Sequence, residues 1–80
     1  MMLNEALVHK LEQEVYDKWN FLCEHGMLKS SAFKIDCTEY MEAGFYWDDI
    51  TEILTDIGFE DDSFCENENI RYIYCYNVEG

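Results

Sequence analysis

Acidic side chains are the most abundant reactive groups in this sequence, and half of them lie in one segment. Residues 47–69 contain nine Asp and Glu residues and no Lys or Arg, and they supply most of the formal net charge of −13. Clustered carboxylates can bind metal cations, exchange protons in catalysis, or attract a basic surface. They also repel phosphate, so direct nucleic-acid binding is the function that we expect least.

The acidic segment does not have the spacing of a calcium loop or the setting of a catalytic carboxylate pair. A hand-like calcium loop needs oxygen ligands at alternating positions, a central Gly and a final Glu. That spacing is absent from Asp56, Gly58, Glu60, Asp61 and Asp62. Carboxylates at a surface also lack the burial that tunes proton transfer. We therefore expect no catalytic residue and no cofactor.

Cysteine and histidine offer the remaining routes to metal binding and nucleophilic chemistry. There is no Cys-x-x-Cys pair of the kind that marks a structural zinc site. His9 and Cys23 are fourteen residues apart, which on one helix is a rise of about 21 Å and too far for a Cys–His pair. The sequence predicts no metal site and no enzyme. The cysteines are Cys23, Cys37, Cys65 and Cys75.

The length and composition indicate one folded domain over residues 1–80. Hydrophobic residues make up 49% of the chain and aromatic residues 16%, which is too rich in core-forming side chains for a disordered acidic tail. The first residues lack the basic and apolar regions of a signal peptide, and no apolar run is long enough for a membrane helix. We expect a cytoplasmic location, reduced thiols and no membrane partner.

Two amphipathic helices are predicted from apolar spacing and capping residues. The first covers residues 4 to about 25, with Asn4 as its N-cap and Gly26 as a left-handed C-terminal cap. The second covers residues 49–57, where Asp49 and Glu52 resemble a capping box and Gly58 ends the element. The apolar stripe of the first helix comprises Leu7, Leu11, Val15, Trp19 and Leu22.

Residues 33–41 fit two patterns. Alternating apolar residues favour a strand, whereas a second set at helical spacing favours a helix. We favour a short helix that begins after Ser30 or Ser31. The alternating set is Phe33, Ile35 and Cys37, and the helical set is Phe33, Cys37, Tyr40, Met41 and Gly44.

Residues 70–78 alternate as a β-strand does. Tyr72, Tyr74 and Tyr76 share one face, and Ile73 and Cys75 share the other. The predicted partner strand is residues 63–65, joined through a turn at 66–69. The predicted fold class is α+β: a small single domain of about three helices followed by a C-terminal β-hairpin. This element order is similar to that of a winged helix, whose third helix enters a DNA groove, although the similarity extends only to element order.

The leading hypothesis is a small, non-enzymatic, acidic interaction protein. It would bind and inhibit or modulate a protein whose surface is basic, most naturally one that binds nucleic acid, as DNA mimics do. Because phages and mobile elements often encode small acidic proteins of this kind, we expect this chain to have such an origin. The candidate partner-binding residues are Asp48, Asp49, Glu52, Asp56, Glu60, Asp61, Asp62, Glu66 and Glu68, together with Tyr46 and Trp47.

Two other interpretations of the acidic segment remain open. The carboxylates can simply form a solvated face that aids solubility. Alternatively, the chain is a structural or regulatory module that recognises a protein through an aromatic surface, since Tyr and Trp are enriched at binding hot spots. Binding that weakens steeply with salt favours the acidic-ligand hypothesis, and salt-insensitive binding favours the aromatic one.

Overall fold

The fold is α+β, as predicted, in a computed structural model that describes residues 4–62 and 70–79. Three strands form an antiparallel sheet in the order β1-β3-β2, and the helices cover one of its faces. The elements in chain order are α1 (Glu5–Glu24), β1 (Phe33–Asp36), α2 (Thr38–Glu42), α3 (Trp47–Asp56), β2 (Phe59–Asp61) and β3 (Tyr72–Asn77).

Helix α1 has the bounds and caps that the sequence predicts. The Asn4 side-chain oxygen accepts hydrogen bonds from the backbone N–H groups two and three residues later, at 3.0 and 3.3 Å. Gly26 ends the helix with φ of +102°, a conformation that costs glycine little. Leu11 and Val15 are fully buried on the apolar stripe. None of the helices in the described part of the chain has the length and apolar character needed to cross a membrane.

The predicted short helix after Ser30 or Ser31 is only partly correct, because the segment begins with strand β1 and becomes helical only at Thr38. Phe33 and Ile35 are buried while the residues between and after them are exposed. Their alternation is satisfied by pairing with β3, where Ile35 lies opposite Ile73. The helical part of the segment is confined to α2, five residues long.

Helix α3 begins two residues earlier than predicted. Asp49 is the third helical residue, and its carboxylate accepts a 2.8 Å hydrogen bond from the backbone N–H of Tyr46. The capping interaction therefore joins Tyr46 and Asp49, in place of the predicted pair of Asp49 and Glu52. Gly58 follows the helix with φ of +88°, as the sequence suggests.

Strand β3 is the centre of the sheet and not one half of an isolated hairpin. It pairs with β1 on one side and with β2 on the other. The β2 pairing places Phe59 opposite Asn77 and Asp61 opposite Cys75. The predicted partner at 63–65 and the predicted turn at 66–69 lie outside the described residues.

The core lies between the sheet and the helices. Ile73 and Cys75 of β3 face the helices and are fully buried. Phe59 is also fully buried and contacts Tyr16 and Trp19 of α1 edge-to-face, with ring centroids 5.5 and 5.8 Å apart. Within residues 4–62 and 70–79 the buried residues are Leu11, Val15, Phe33, Ile35, Cys37, Tyr40, Phe45, Ile50, Ile53, Leu54, Phe59, Ile73 and Cys75.

Candidate functional site

Three exposed carboxylates form a row along the outer side of α3, which we call the α3 acidic face. Asp48, Glu52 and Asp56 are spaced four residues apart, on the side opposite the buried Ile50 and Leu54. At 1.5 Å per residue, neighbours in the row are about 6 Å apart along the axis, and the whole row spans about 12 Å. The row was predicted from the sequence, and the structure leaves all three residues exposed.

The α3 acidic face has no counter-ion within the described residues. Its three carboxylates make no hydrogen bond or ion pair with any side chain in 4–62 or 70–79. The ion pairs found there lie elsewhere: Lys10 of α1 pairs with Glu39 of α2, and the Lys10 pKa is raised chiefly by that hydrogen bond. No cation from the described residues therefore competes for the three carboxylates of the α3 acidic face.

Two of the other predicted acidic residues, Asp49 and Glu60, have hydrogen-bond partners within the protein. Asp49 caps its own helix. Glu60 lies on the face of the sheet away from the helices, where it accepts a hydrogen bond from the Tyr76 hydroxyl, and that bond raises the Tyr76 pKa. Asp61, next along β2, points to the opposite face. The backbone N–H of Asp62 donates to the Tyr74 carbonyl at 2.7 Å. Glu66 and Glu68 lie outside the described residues.

The two aromatic candidates at the start of α3 have different environments. Tyr46 is 73% exposed, whereas Trp47 is half-buried and packs against the core. Phe45, which precedes them, is buried. Tyr46 is thus the residue of this group that a partner can contact most fully.

The outer side of the sheet presents a second surface, the tyrosine face, formed by Tyr72, Tyr74 and Tyr76. Tyr72 and Tyr74 are 40% and 42% exposed, and their rings meet edge-to-face with centroids 5.8 Å apart. The Lys34 ammonium lies 4.4 Å from the centre of the Tyr72 ring, at cation–π distance. The structure thus turns the tyrosines outward and buries the opposite side of β3.

A third feature, absent from the sequence prediction, is an open groove between α1, the end of α3 and the end of β3. Its volume is about 710 Å³. The residues that matter for its chemistry are Tyr16, Trp19, Lys29, Asp56, Ile57 and Glu79. These six residues come from four separate parts of the chain, so the groove could not be predicted from the spacing of neighbouring residues.

The two buried thiols, Cys37 and Cys75, are poorly suited to act as nucleophiles or metal ligands. Burial raises the pKa of Cys37 and of Cys75 to about 12, so both are protonated at neutral pH. Cys23 is half-buried, and all three are free; Cys65 lies outside the described residues. No group of three or more His, Cys, Asp or Glu side chains among residues 4–62 and 70–79 is placed to hold a metal ion.

Comparison with known proteins gives no relative from which a function can be transferred. No family model matches the chain, and no similar protein was found among curated proteins or solved structures. The α3 acidic face, the tyrosine face and the groove are therefore the basis for inferring what the protein does.

Proposed function

We propose that this chain is a non-enzymatic interaction protein that binds a basic surface of another protein through the α3 acidic face and so inhibits or modulates it. The observation that carries the proposal is the exposed row of Asp48, Glu52 and Asp56, which has no cation from the described part of its own chain. Like charges at this spacing destabilise a helix by a few tenths of a kcal/mol per pair. Asp48 lies in the first turn, where the helix dipole favours a carboxylate, but Glu52 and Asp56 gain no such stabilisation. Binding a cationic surface gives all three carboxylates a partner.

The length of the turn that leads into α3 supports a partner that itself binds nucleic acid. Helices α2 and α3 are joined by a short turn at residues 43–46, in which Gly44 has φ of +103°. Helix-turn-helix proteins have this connection, and their second helix enters the DNA major groove. Here the second helix carries carboxylates on its outer side, so it repels DNA and is suited to a protein groove that receives DNA.

The distance between charges in the α3 acidic face determines how closely it can imitate the charge of DNA. Duplex DNA carries one charge per about 1.7 Å of axis, or about 3.4 Å for each strand. The α3 acidic face carries one charge per about 6 Å, a lower density than either. The protein should therefore compete with DNA at a basic groove as the weaker electrostatic ligand per unit length, and its affinity should fall with salt.

A tagged pulldown from a lysate of the source organism tests the proposal. Wild type, Asp48→Asn/Glu52→Gln and a control, Glu5→Gln/Glu24→Gln, are compared at low and high salt, with and without duplex DNA. The control removes the same charge from α1. We expect a basic protein that is lost at high salt, displaced by DNA and lost with the α3 variant alone. Equal retention by both variants would contradict the proposal.

The tyrosine face supports a second candidate function, that of a protein-recognition module with aromatic anchors. Its specific support is the exposure of Tyr72 and Tyr74 on the side of the sheet that the helices leave open. A partner held there should resist salt and should be lost with Tyr72→Ala/Tyr74→Ala. The same pulldown separates the two candidates, because the α3 variant would then bind normally.

A further inference from the structure

We infer that the groove between α1 and the end of α3 receives an arginine side chain of the basic partner. This inference rests on the proposed function and deepens it, because it names the chemical group that is recognised and the place where it binds. The groove begins where the α3 acidic face ends, since Asp56 belongs to both. A partner lying along α3 can therefore insert a side chain at this end.

The aromatic walls of the groove are held in place by the protein's own contacts. The Tyr16 hydroxyl donates to the Ile57 carbonyl at 2.9 Å, and the Trp19 indole N–H donates to the Lys29 carbonyl at 3.0 Å. Both rings also rest edge-to-face on the buried Phe59. Because the walls are fixed beforehand, a ligand does not have to order them on binding.

The electrostatics of the groove favour a cation. Two acidic residues, Asp56 and Glu79, are among the residues that line it. The carboxyl end of α3 lies there too, and this end carries the negative pole of the helix dipole. The last turn of α3 contains no basic residue and does contain Asp56, the sign that is unfavourable for the helix itself. Lys29 offsets part of this charge, but it forms no ion pair with any described residue.

Arginine fits this combination of walls better than other cationic groups. A planar guanidinium can stack on an aromatic ring while it donates hydrogen bonds to carboxylates, whereas an ammonium acts as a compact point charge. The volume of about 710 Å³ lies within the range of ligand sites, so it has room for the side chain and part of its backbone. Phosphates and acidic peptides would be repelled by Asp56 and Glu79.

NMR titration of the whole ¹⁵N-labelled protein provides the test. The probe is an acetylated Gly-Arg-Gly repeat peptide, and the same peptide with citrulline in place of arginine is the neutral control. The indole N–H of Trp19 reports on the groove, and that of Trp47, next to Asp48 at the other end of α3, reports on general attraction to the α3 acidic face. We expect saturable movement of the Trp19 signal with the arginine peptide alone. If the Trp19 signal does not move, or moves equally with the citrulline peptide, the inference is wrong.

Matched variants separate a built site from general attraction to an acidic protein. Asp56→Asn/Glu79→Gln should weaken binding of the arginine peptide by about tenfold, and Lys29→Gln should strengthen it. Asp48→Asn/Glu52→Gln removes the same charge outside the groove and should change the affinity by less than about twofold. If both double variants weaken binding of the arginine peptide equally, the attraction is non-specific and no arginine site exists.

The same variants distinguish failure of this inference from failure of the proposed function. Loss of the partner with Asp48→Asn/Glu52→Gln, but no response of the peptide to Asp56→Asn/Glu79→Gln, leaves the function standing and removes the arginine site. Peptide binding that depends on Asp56 and Glu79, with normal partner capture by the α3 variant, leaves the arginine site standing and removes the proposed function.

Discussion

The hydroxyl of Tyr16 donates a hydrogen bond of 2.9 Å to the backbone carbonyl of Ile57, although the two residues are 41 positions apart. The carbonyl belongs to the residue that caps α3, where helical carbonyls otherwise lack a partner within the helix. One side chain of α1 therefore stabilises the carboxyl end of α3 and closes one wall of the groove.

Replacing Tyr16 by Phe should remove this bond and little else. The expected loss is about 0.5–1 kcal/mol of unfolding free energy, at the low end for a hydrogen bond because Tyr16 is 38% exposed. Urea denaturation of the variant measures it. Tyr72→Phe, which removes an exposed hydroxyl from the tyrosine face, is the matched control and should change stability less than Tyr16→Phe does.

Phe59 is predicted to be the core residue whose truncation is most damaging. It is fully buried and meets three other rings, Tyr16, Trp19 and Phe33, edge-to-face. Phe59→Ala should cost about 3–5 kcal/mol, which is comparable with the total stability of about 4–12 kcal/mol expected for 80 residues.

The milder variant Phe59→Leu keeps the test measurable in a folded protein. It should cost about 1–3 kcal/mol in urea denaturation, because the leucine retains apolar bulk but loses the ring contacts. Phe21→Ala, at a site that is 57% exposed, is the control. A smaller loss for Phe59→Leu than for Phe21→Ala would show that the ring cluster is not central to the core.

The buried thiols should resist alkylation in the native state. With a pKa of about 12, Cys37 and Cys75 have a thiolate fraction of about one in ten thousand at pH 8, and burial blocks access as well. Mass spectrometry after brief iodoacetamide treatment should find both unmodified, and find both modified when the protein is first unfolded in urea. Rapid native labelling of either cysteine would contradict the described core.

Stability should fall as the pH rises above about 9. The unfolded thiols lose their protons near pH 9, while the folded thiols of Cys37 and Cys75 hold theirs to about pH 12. Between these values the unfolded state binds fewer protons, so the free energy of unfolding decreases by at most about 1.4 kcal/mol per pH unit for each thiol. Burial raises the pKa of Tyr40 as well, aided by Glu14, and this adds to the loss above about pH 10.

Thermal unfolding monitored between pH 7 and pH 11 checks this prediction, with Cys75→Ala as the comparison. The variant loses one of the two thiols, so its stability should depend less steeply on pH above pH 9. Parallel pH profiles for the variant and the wild type would show that burial of Cys75 does not govern the alkaline response.

The parts of the fold that were predictable are those determined by neighbours in sequence. Helix α1 carries its apolar stripe, its N-cap and its terminal Gly26 within one continuous segment, and all of these were identified. In contrast, Phe33 and Cys37 fit both the helical and the strand pattern, and pairing with β3, more than 30 residues later, makes residues 33–36 a strand. Strand β2 has only three residues, two of them acidic. Its sequence does not predict a strand, and it forms one by pairing with the edge of β3.

The candidate functional surfaces also include some that local sequence predicts and some that depend on distant parts of the chain. The row of Asp48, Glu52 and Asp56 follows from helical spacing alone and was found. The alternation of Tyr72 and Tyr74 was also found, but which side of the strand faces outward depends on where the helices pack. The groove joins Trp19 to Glu79, and only the folded chain brings those residues together.

The central position of β3 has a consequence for the order in which the protein folds during its synthesis. β1 and β2 have no direct contact as strands, and both depend on a segment that the ribosome makes later. At about 5–20 residues per second, about 2–7 s pass between the synthesis of Asp36 and the synthesis of Tyr72. Until β3 is made, neither β1 nor β2 has its partner strand, so we expect the sheet to form only after nearly the whole of residues 1–80 has been synthesised.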